Sequence, residues 1–367
     1  MQRVLHVIGL LAPGGAQTFL LNLYRSIDRS QLQFDFLVYG DKKGELEDAV
    51  SELGGKIFRI QKYRIYNGKA YVKEFKEIIA KNKLRWAAVE IHTELDAGIL
   101  SKACHRIKIH CIAHAHSASY GLGVKGFIRG KTYRKLRKYV DIPFACSKQA
   151  AINRYGSKIA QKAYIVNNGI DLELFRYSSI CRDKIRKQLS VSPSWTIYGH
   201  TGRFHESKNH LFLLEVFKEI KSIEKNSKLL LIGDGELLPI CKARAKALKI
   251  EEDVIFTGSK KDTYKYYSAF DKLIMPSIYE GIPLTMIEAQ ANGLPILAST
   301  GIDPLSKLVE TVTFMDLSSG AKAWANVALG LESSNRERMY LNSAFKPYDI
   351  KLIAIWYMSF INGLIRK

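Results

Sequence analysis

The sequence is poor in acid and in cysteine. Its 35 Asp and Glu face 56 Lys and Arg, a formal net charge of +21 across 367 residues. Residues 1–175 hold 29 basic against 15 acidic residues, and from Lys102 to Lys138 there are ten Lys or Arg with no Asp or Glu. Such asymmetry points to an anionic partner, either phospholipid head groups or nucleic acid. The five cysteines (Cys104, Cys111, Cys146, Cys181, Cys241) are scattered and include no Cys-x-x-Cys pair. They argue against zinc or a disulfide framework and suit a reducing cytosol.

Other absences remove whole function classes. No G-x-x-x-x-G-K-[ST] and no G-x-S-x-G occur, so a P-loop NTPase and that type of serine hydrolase have no support. Asp-x-Asp is missing too; the nearest patterns are Asp234-Gly235-Glu236 and Asp171-Leu172-Glu173. A diphosphate bridged through a metal is therefore not expected, and no cofactor or metal is expected. The apolar run Leu352–Ile361 is too short to span a bilayer. Val4–Ala12 contains His6 and runs into Pro13-Gly14-Gly15, which reads as a first strand rather than a signal peptide.

What is there is the composition of an ordinary globular protein, 47% hydrophobic and 25% charged. Short apolar runs alternate with helical patterns along both halves. Strands are expected at Val4–Leu10, Phe34–Tyr39, Ala87–His92, Ile107–Ala113 and Ile142–Cys146. In the second half they are expected at Trp195–Gly199, Leu229–Ile232, Val254–Phe256, Lys272–Met275 and Pro295–Ala298. Helices are expected at Gln17–Tyr24, Val72–Lys81, Leu211–Ile223, Tyr264–Phe270 and after Pro283. Strands alternating with helices imply α/β architecture, here two Rossmann-like parallel-sheet domains facing a cleft. The turn-rich stretch Val166–Asp171 divides them. The domains are read as 1–170, 171–345 and a C-terminal helix in 346–367.

The densest stretch is Tyr279–Ala291, Y-E-G-I-P-L-T-M-I-E-A-Q-A, with Glu280 and Glu288 eight residues apart. It follows a strand-length apolar run and precedes Gly293, so it reads as strand, loop, helix. Pro283 is expected at the first helical position, where its missing N–H costs nothing. Glu280 then lies in the loop and Glu288 on the second turn. The free N–H groups of Leu284 and Thr285 favour an anion such as phosphate. Two acids that bind hydroxyls, flanking a phosphate site, describe a nucleotide-sugar pocket.

Three further stretches carry candidate chemistry. Pro13-Gly14-Gly15-Ala16 joins the first strand to a helix and lets a ligand approach Gly15, although many such turns bind nothing. Gly202-Arg203-Phe204 and Lys208 follow the second half's first strand; Arg203 can fork onto a phosphate and Lys208 adds a point charge. Together they would neutralise a departing diphosphate. His110, His114 and His116 share one parity on a strand, with His114 and His116 at its carboxyl end and no carboxylate nearby in sequence. Val124–Tyr139 sets Phe127, Ile128, Leu136 and Tyr139 among seven basic residues, a pattern for peripheral contact with an anionic membrane.

In combination, E-x7-E at Glu280–Glu288, G-R-F…K at Gly202–Lys208 and N-G-I-D at Asn168–Asp171 resemble retaining GT-B glycosyltransferases. The resemblance is to the family 4-like bacterial group that builds capsular and exopolysaccharide repeat units, and it runs from Val4 to about Ile302. It implies that Glu288 holds the ribose hydroxyls and that Glu280 contacts the donor sugar near the reacting carbon. Arg203 and Lys208 would hold the diphosphate, helped by Gly15, Gly281 and the backbone of Leu284 and Thr285. His116, or else His114, would be the cleft histidine at the donor sugar, and the base would lie near Gly233–Gly235 and Phe256–Gly258. Where relatives continue G-G-x-E, this chain has Gln17.

The function this implies is transfer of a hexose or N-acetylhexosamine from a nucleotide diphosphate sugar, UDP first. The acceptor would be a polyprenyl-diphosphate-linked oligosaccharide, and the site of action the inner face of the cell membrane. The rival readings are a UDP-sugar 2-epimerase-like isomerase and a basic nucleic-acid-binding protein; no nucleic-acid-binding module accompanies the charge.

Overall fold

The computed structural model describes residues 1–82, 86–93, 96–116, 139–332 and 335–365. Two compact units emerge: Met1–Gly169 with Pro347–Lys367, and Ile170–Lys346.

The first unit is built on seven parallel strands: β1 (Gln2–Val7), β2 (Leu32–Tyr39), β3 (Ile57–Ile60), β4 (Trp86–Ile91), β5 (His110–Ala115), β6 (Ile142–Ala145) and β7 (Tyr164–Ile165). Their order is β3-β2-β1-β4-β5-β6-β7. Helices cover both faces, so the strands are apolar on both sides rather than alternating. On one face Phe34, Phe36 and Ile112 pack with the helices Gly15–Ser26 and Ile350–Ile365. On the other, Leu5, Val7 and Val89 pack with Gly68–Lys81 and Ala97–Ile107. The one acid inside β2, Asp35, is tolerated because Arg3 Nε donates to it at 2.6 Å and Trp86 Nε1 at 2.8 Å.

The C-terminal helix belongs to this first unit. Ile350, Ile353, Ala354, Tyr357 and Ile361 fall on one helical stripe and are all buried. Gly169 of the N-G-I-D stretch is where the chain passes under that helix. A Cβ there would stand 2.6 Å from Ile353 Cδ1 and 3.2 Å from the Ile350 backbone.

The second unit holds six parallel strands: β8 (Thr196–Thr201), β9 (Ser227–Ile232), β10 (Val254–Phe256), β11 (Lys272–Met275), β12 (Ile296–Ser299) and β13 (Val312–Met315). They are ordered β10-β9-β8-β11-β12-β13. Its core joins Tyr198, Leu229, Leu231, Ile274 and Leu297 of the sheet to Leu213, Phe217 and Trp324 of the covering helices.

Several expected boundaries move. Ile107 is the last residue of the Ala97–Ile107 helix rather than the start of a strand. Lys108 turns the chain in the left-handed region (φ 57), and β5 begins at His110. Sequence reading missed the short edge strands β3, β7 and β13. Among the described residues no helix is long and apolar enough to cross a membrane. The expected membrane-contact segment Val124–Tyr139 lies outside the described residues except for Tyr139.

Candidate functional site

Both sheets change winding direction beside their first strand, between β1 and β4 and between β8 and β11. Ligands of open α/β sheets bind beyond the strand carboxyl ends at such switch points. In the second unit those ends feed two loops, Gly202–Lys208 after β8 and Ser277–Glu280 after β11.

These loops are tied together. Ile278 N donates to Ser207 O at 2.8 Å, and Lys208 Nζ donates to Glu280 Oε2. Ser277 Oγ donates to the other carboxylate oxygen of Glu280. The Glu280 backbone is pinned as well, its N–H to Gly301 O at 3.0 Å and its carbonyl accepting from Asp303 N at 3.1 Å. The side chains of Lys208 and Glu280 are 18% and 13% exposed, so the pair is screened little yet open to a ligand. A carboxylate fixed on both oxygens, next to a cation, can accept sugar hydroxyls while the cation meets a phosphate.

Pro283, expected as the first helical residue, instead precedes it. Its backbone is extended (φ −75°, ψ 130°) and the helix runs Leu284–Ala291. The N–H groups of Leu284 and Thr285 therefore open the helix and have no partner within it. Glu288 sits on the second turn, where Tyr267 OH donates to its Oε2 at 2.7 Å. The residue keeps some solvent contact, but protein crowds its carboxyl, and burial pushes its pKa up to about 7.

The remaining donor-side residues differ in how they are held. Arg203 is exposed and reaches Glu236 at 3.1 Å, a surface contact that a phosphate can displace. Gly233 takes φ +146°, and a Cβ there would lie 2.0 Å from Gly202 O, so its lack of a side chain lets the β9 loop close on the β8 loop. Its N–H donates to Gly258 O at 3.1 Å. Gly281 and Gly15 face open space, with nothing within 4 Å of an added Cβ. Gly15 is the first residue of its helix, and Gln17 turns its side chain back to Leu10 O at 3.2 Å.

His114 and His116 belong to the first unit. His114 is buried in β5, and His116 just beyond it is half-buried, the two rings stacking at 4.1 Å. His110, at the other end of β5, is exposed. No carboxylate stands near these histidines in sequence, but the fold supplies one: Glu90, on neighbouring β4, accepts from His114 Nδ1 at 2.8 Å. Sequence spacing hides this pair because β4 and β5 are joined by a helix and a turn. Burial pushes His114 down to about 3 and His6 to about 4, so both rings are neutral at pH 7.

The structure thus joins Lys208 to Glu280 and Gly233 to the Gly202 loop, and sets Leu284, Thr285 and Glu288 on one short helix. Sequence reading missed Ser277 and Tyr267, which hold the two glutamates, and Glu90 and His92 at the end of β4. Ser277 lies three residues before Glu280, a signal available but unused; nothing in the sequence linked Tyr267 to Glu288.

Residues 196–327, which span the β8–β13 sheet, match the family described as glycosyl transferases group 1. The chain is 30% identical over 344 residues to the putative glycosyltransferase EpsF of Bacillus subtilis, covering 92% of this chain and 89% of the relative. It is 27% identical over 253 residues to the Escherichia coli UDP-Gal:alpha-D-GlcNAc-diphosphoundecaprenol alpha-1,3-galactosyltransferase, covering 62% of each. Its fold matches HepE of Anabaena, solved in complex with UDP, at a TM-score of 0.80 and 16% identity, over 99% of this chain and 100% of that one. The chain belongs to the group 1 glycosyl transferases, with the two Rossmann-like units of the GT-B fold.

Proposed function

We propose that this glycosyltransferase moves a hexose or N-acetylhexosamine, with retention of configuration, from UDP-sugar to a polyprenyl-diphosphate-linked oligosaccharide. The transfer serves capsule or exopolysaccharide synthesis. The observation that carries the donor side is the Lys208–Glu280 pair, with Glu280 four and five residues before Leu284 and Thr285, whose N–H groups open the next helix. UDP is the donor nucleotide of the E. coli relative and the ligand of the HepE structure, and the relative's acceptor is a lipid-linked diphosphate sugar.

In this reading Glu280 accepts hydroxyls of the donor sugar, and Glu288, steadied by Tyr267, takes the ribose hydroxyls. Lys208, Arg203 and the helix start at Leu284 hold the diphosphate, with Gly281 leaving the loop open beside it. Gly233 and Gly258 let the base lie against backbone. In the first unit, Gly15 and His116, or His114 in its place, keep the donor-side roles that the resemblance implies. The bond from the anomeric carbon to the diphosphate oxygen breaks, and its electron pair leaves with UDP. The acceptor hydroxyl oxygen bonds to that carbon from the same face, and its proton passes to a leaving phosphate oxygen. Cations and backbone dipoles stabilise the departing charge, so no metal is required for this step. The basic stretch Lys102–Lys138 brings the enzyme to the inner leaflet and its lipid acceptor.

The test is transfer from UDP-sugars to a synthetic polyprenyl-diphosphate N-acetylhexosamine, with the product's anomeric configuration read by NMR. The same configuration as the donor, and turnover not raised by added Mg²⁺ or Mn²⁺, are expected. An inverted product, or turnover strictly dependent on those ions, contradicts the reading. Epimerised donor with no transfer assigns the chain to the isomerase alternative.

A further inference from the structure

His200 stands inside the second unit beside the donor loops, and none of the roles above uses it. It lies in β8, just before the Gly202 loop, and is fully buried. Its Nδ1 is 2.8 Å from the carbonyl oxygen of Ile274 on neighbouring β11. A carbonyl brings no proton, so Nδ1 donates and Nε2 keeps a bare lone pair. That nitrogen is buried and has no hydrogen-bond partner, a state that costs free energy. His210 packs edge-on against the ring at 4.7 Å between centroids, yet its own nitrogens are unpaired too, so no bond joins the two. Burial pushes the pKa of His200 down to about 4, which keeps the ring neutral at pH 7.

The unpaired nitrogen lies beside the arm of Lys208. A Cβ added to Gly202 would stand 3.3 Å from His200 Nε2 and 3.4 Å from Lys208 Cε. The glycine therefore leaves room for the imidazole and the lysine arm to approach each other. An ammonium has three N–H donors, and among the described residues only Glu280 accepts from Lys208. The two acceptors treat the charge differently. Glu280 cancels it, whereas a neutral imidazole holds an ammonium in place and leaves its charge whole for an anion. Sugar hydroxyls that bind Glu280 compete with Lys208 for a carboxylate whose other oxygen already accepts from Ser277.

We propose that His200 is a positioning residue for the donor diphosphate: with UDP-sugar bound, its Nε2 accepts an N–H of Lys208 and keeps the ammonium on the phosphates while Glu280 turns to the sugar. The lysine then has two resting places, the carboxylate when no sugar is present and the imidazole when one is. The inference rests on the donor reading above and adds to it a residue that touches no substrate. It also gives Gly202 a role, because any side chain there would press on both partners.

The experiment measures binding of UDP, UDP-glucose, UDP-galactose and UDP-N-acetylglucosamine to the full chain by calorimetry. In His200→Asn the amide nitrogen takes the place of Nδ1 and keeps the bond to Ile274, but nothing replaces Nε2; in His200→Gln the amide oxygen does. His200→Asn should weaken the preferred UDP-sugar about tenfold and UDP by less than about threefold, because with UDP alone Glu280 still holds the lysine. His200→Gln should recover most of that loss, and in Lys208→Ala the Asn substitution should cost nothing further. Unchanged UDP-sugar binding in His200→Asn, with Lys208→Ala impaired, overturns the proposal and leaves the donor reading standing. Equal weakening of UDP and UDP-sugar, or the same loss with and without Lys208, also overturns it and assigns Nε2 to a buried water. Wild type that binds neither UDP nor any UDP-sugar, or Lys208→Ala that binds both as wild type does, overturns the donor reading and this inference with it. Should His200→Asn not fold by circular dichroism, Gly202→Ala takes its place: its methyl crowds the lysine arm and the ring and should weaken UDP-sugar about tenfold only where Lys208 is present.

Discussion

Lys208 and Glu280 are 72 positions apart and form an ion pair at the carboxyl ends of two adjacent strands, with Ser277 holding the second oxygen of the same carboxylate. Removing either charge leaves the other largely buried and unpaired. Lys208→Ala is expected to lower kcat/KM for donor by about 10²–10³, the cost of losing one preorganised charge on a departing phosphate. Glu280→Gln keeps the shape but removes the charge that faces Lys208. It should lower kcat more than it raises the donor KM, and steady-state kinetics on both variants checks this.

Glu288 gives a pH dependence with a definite sign. Its carboxyl titrates near 7 in the folded chain against 4.5 for the free group. Between those values the folded state holds a proton that the unfolded state has released, so stability falls as pH rises from about 4.5 to 7. With its remaining solvent contact the loss is on the order of 1–2 kcal/mol. Urea unfolding across this range should show that slope in wild type and a flatter line in Glu288→Gln. A parallel slope in the variant assigns the pH effect to other groups.

Two glycines in the donor loops separate packing from access. Gly233→Ala places a methyl 2.0 Å from Gly202 O at φ +146°, so it should destabilise the second unit by about 2 kcal/mol or more and displace the β8 loop. Gly281→Ala adds a methyl to open space and should change stability by less than about 0.5 kcal/mol. In the proposed pocket it should nonetheless raise the donor KM. Equal stability of the two variants contradicts the account.

Much of this was legible in the sequence because it is local. Strand, loop and helix around Glu280–Glu288 follow from a short apolar run, Pro283 and Gly293, and only the position of Pro283 shifts by one residue, from first helical position to cap. The C-terminal helix Ile350–Ile365 shows its buried stripe in its spacing. What stayed hidden depends on which strands become neighbours. Glu90 precedes His114 by 24 positions and Tyr267 precedes Glu288 by 21, and no periodicity reports a pair made across a sheet or between two helices. Strand order is set by winding, and only the folded chain reveals it.

Tyr357 ties the last helix to the centre of the first unit through Glu90. Tyr357→Phe removes the only hydroxyl on that helix that reaches the buried carboxyl among the described residues, and should cost about 1–3 kcal/mol. Denaturant unfolding followed by hydrogen exchange should place the loss in the strands of the first unit and spare the second. Equal loss in both units would show that the helix does not act through this contact.

The most direct test of the central claim is release of free nucleotide from a panel of UDP-, GDP- and ADP-sugars, without added acceptor, by wild type and Glu280→Ala. Slow turnover of one UDP-sugar, abolished in a folded Glu280→Ala, is the predicted result. Turnover of that donor by Glu280→Ala at the wild-type rate contradicts the account, because the carboxylate held by Lys208 and Ser277 would then have no part in donor chemistry.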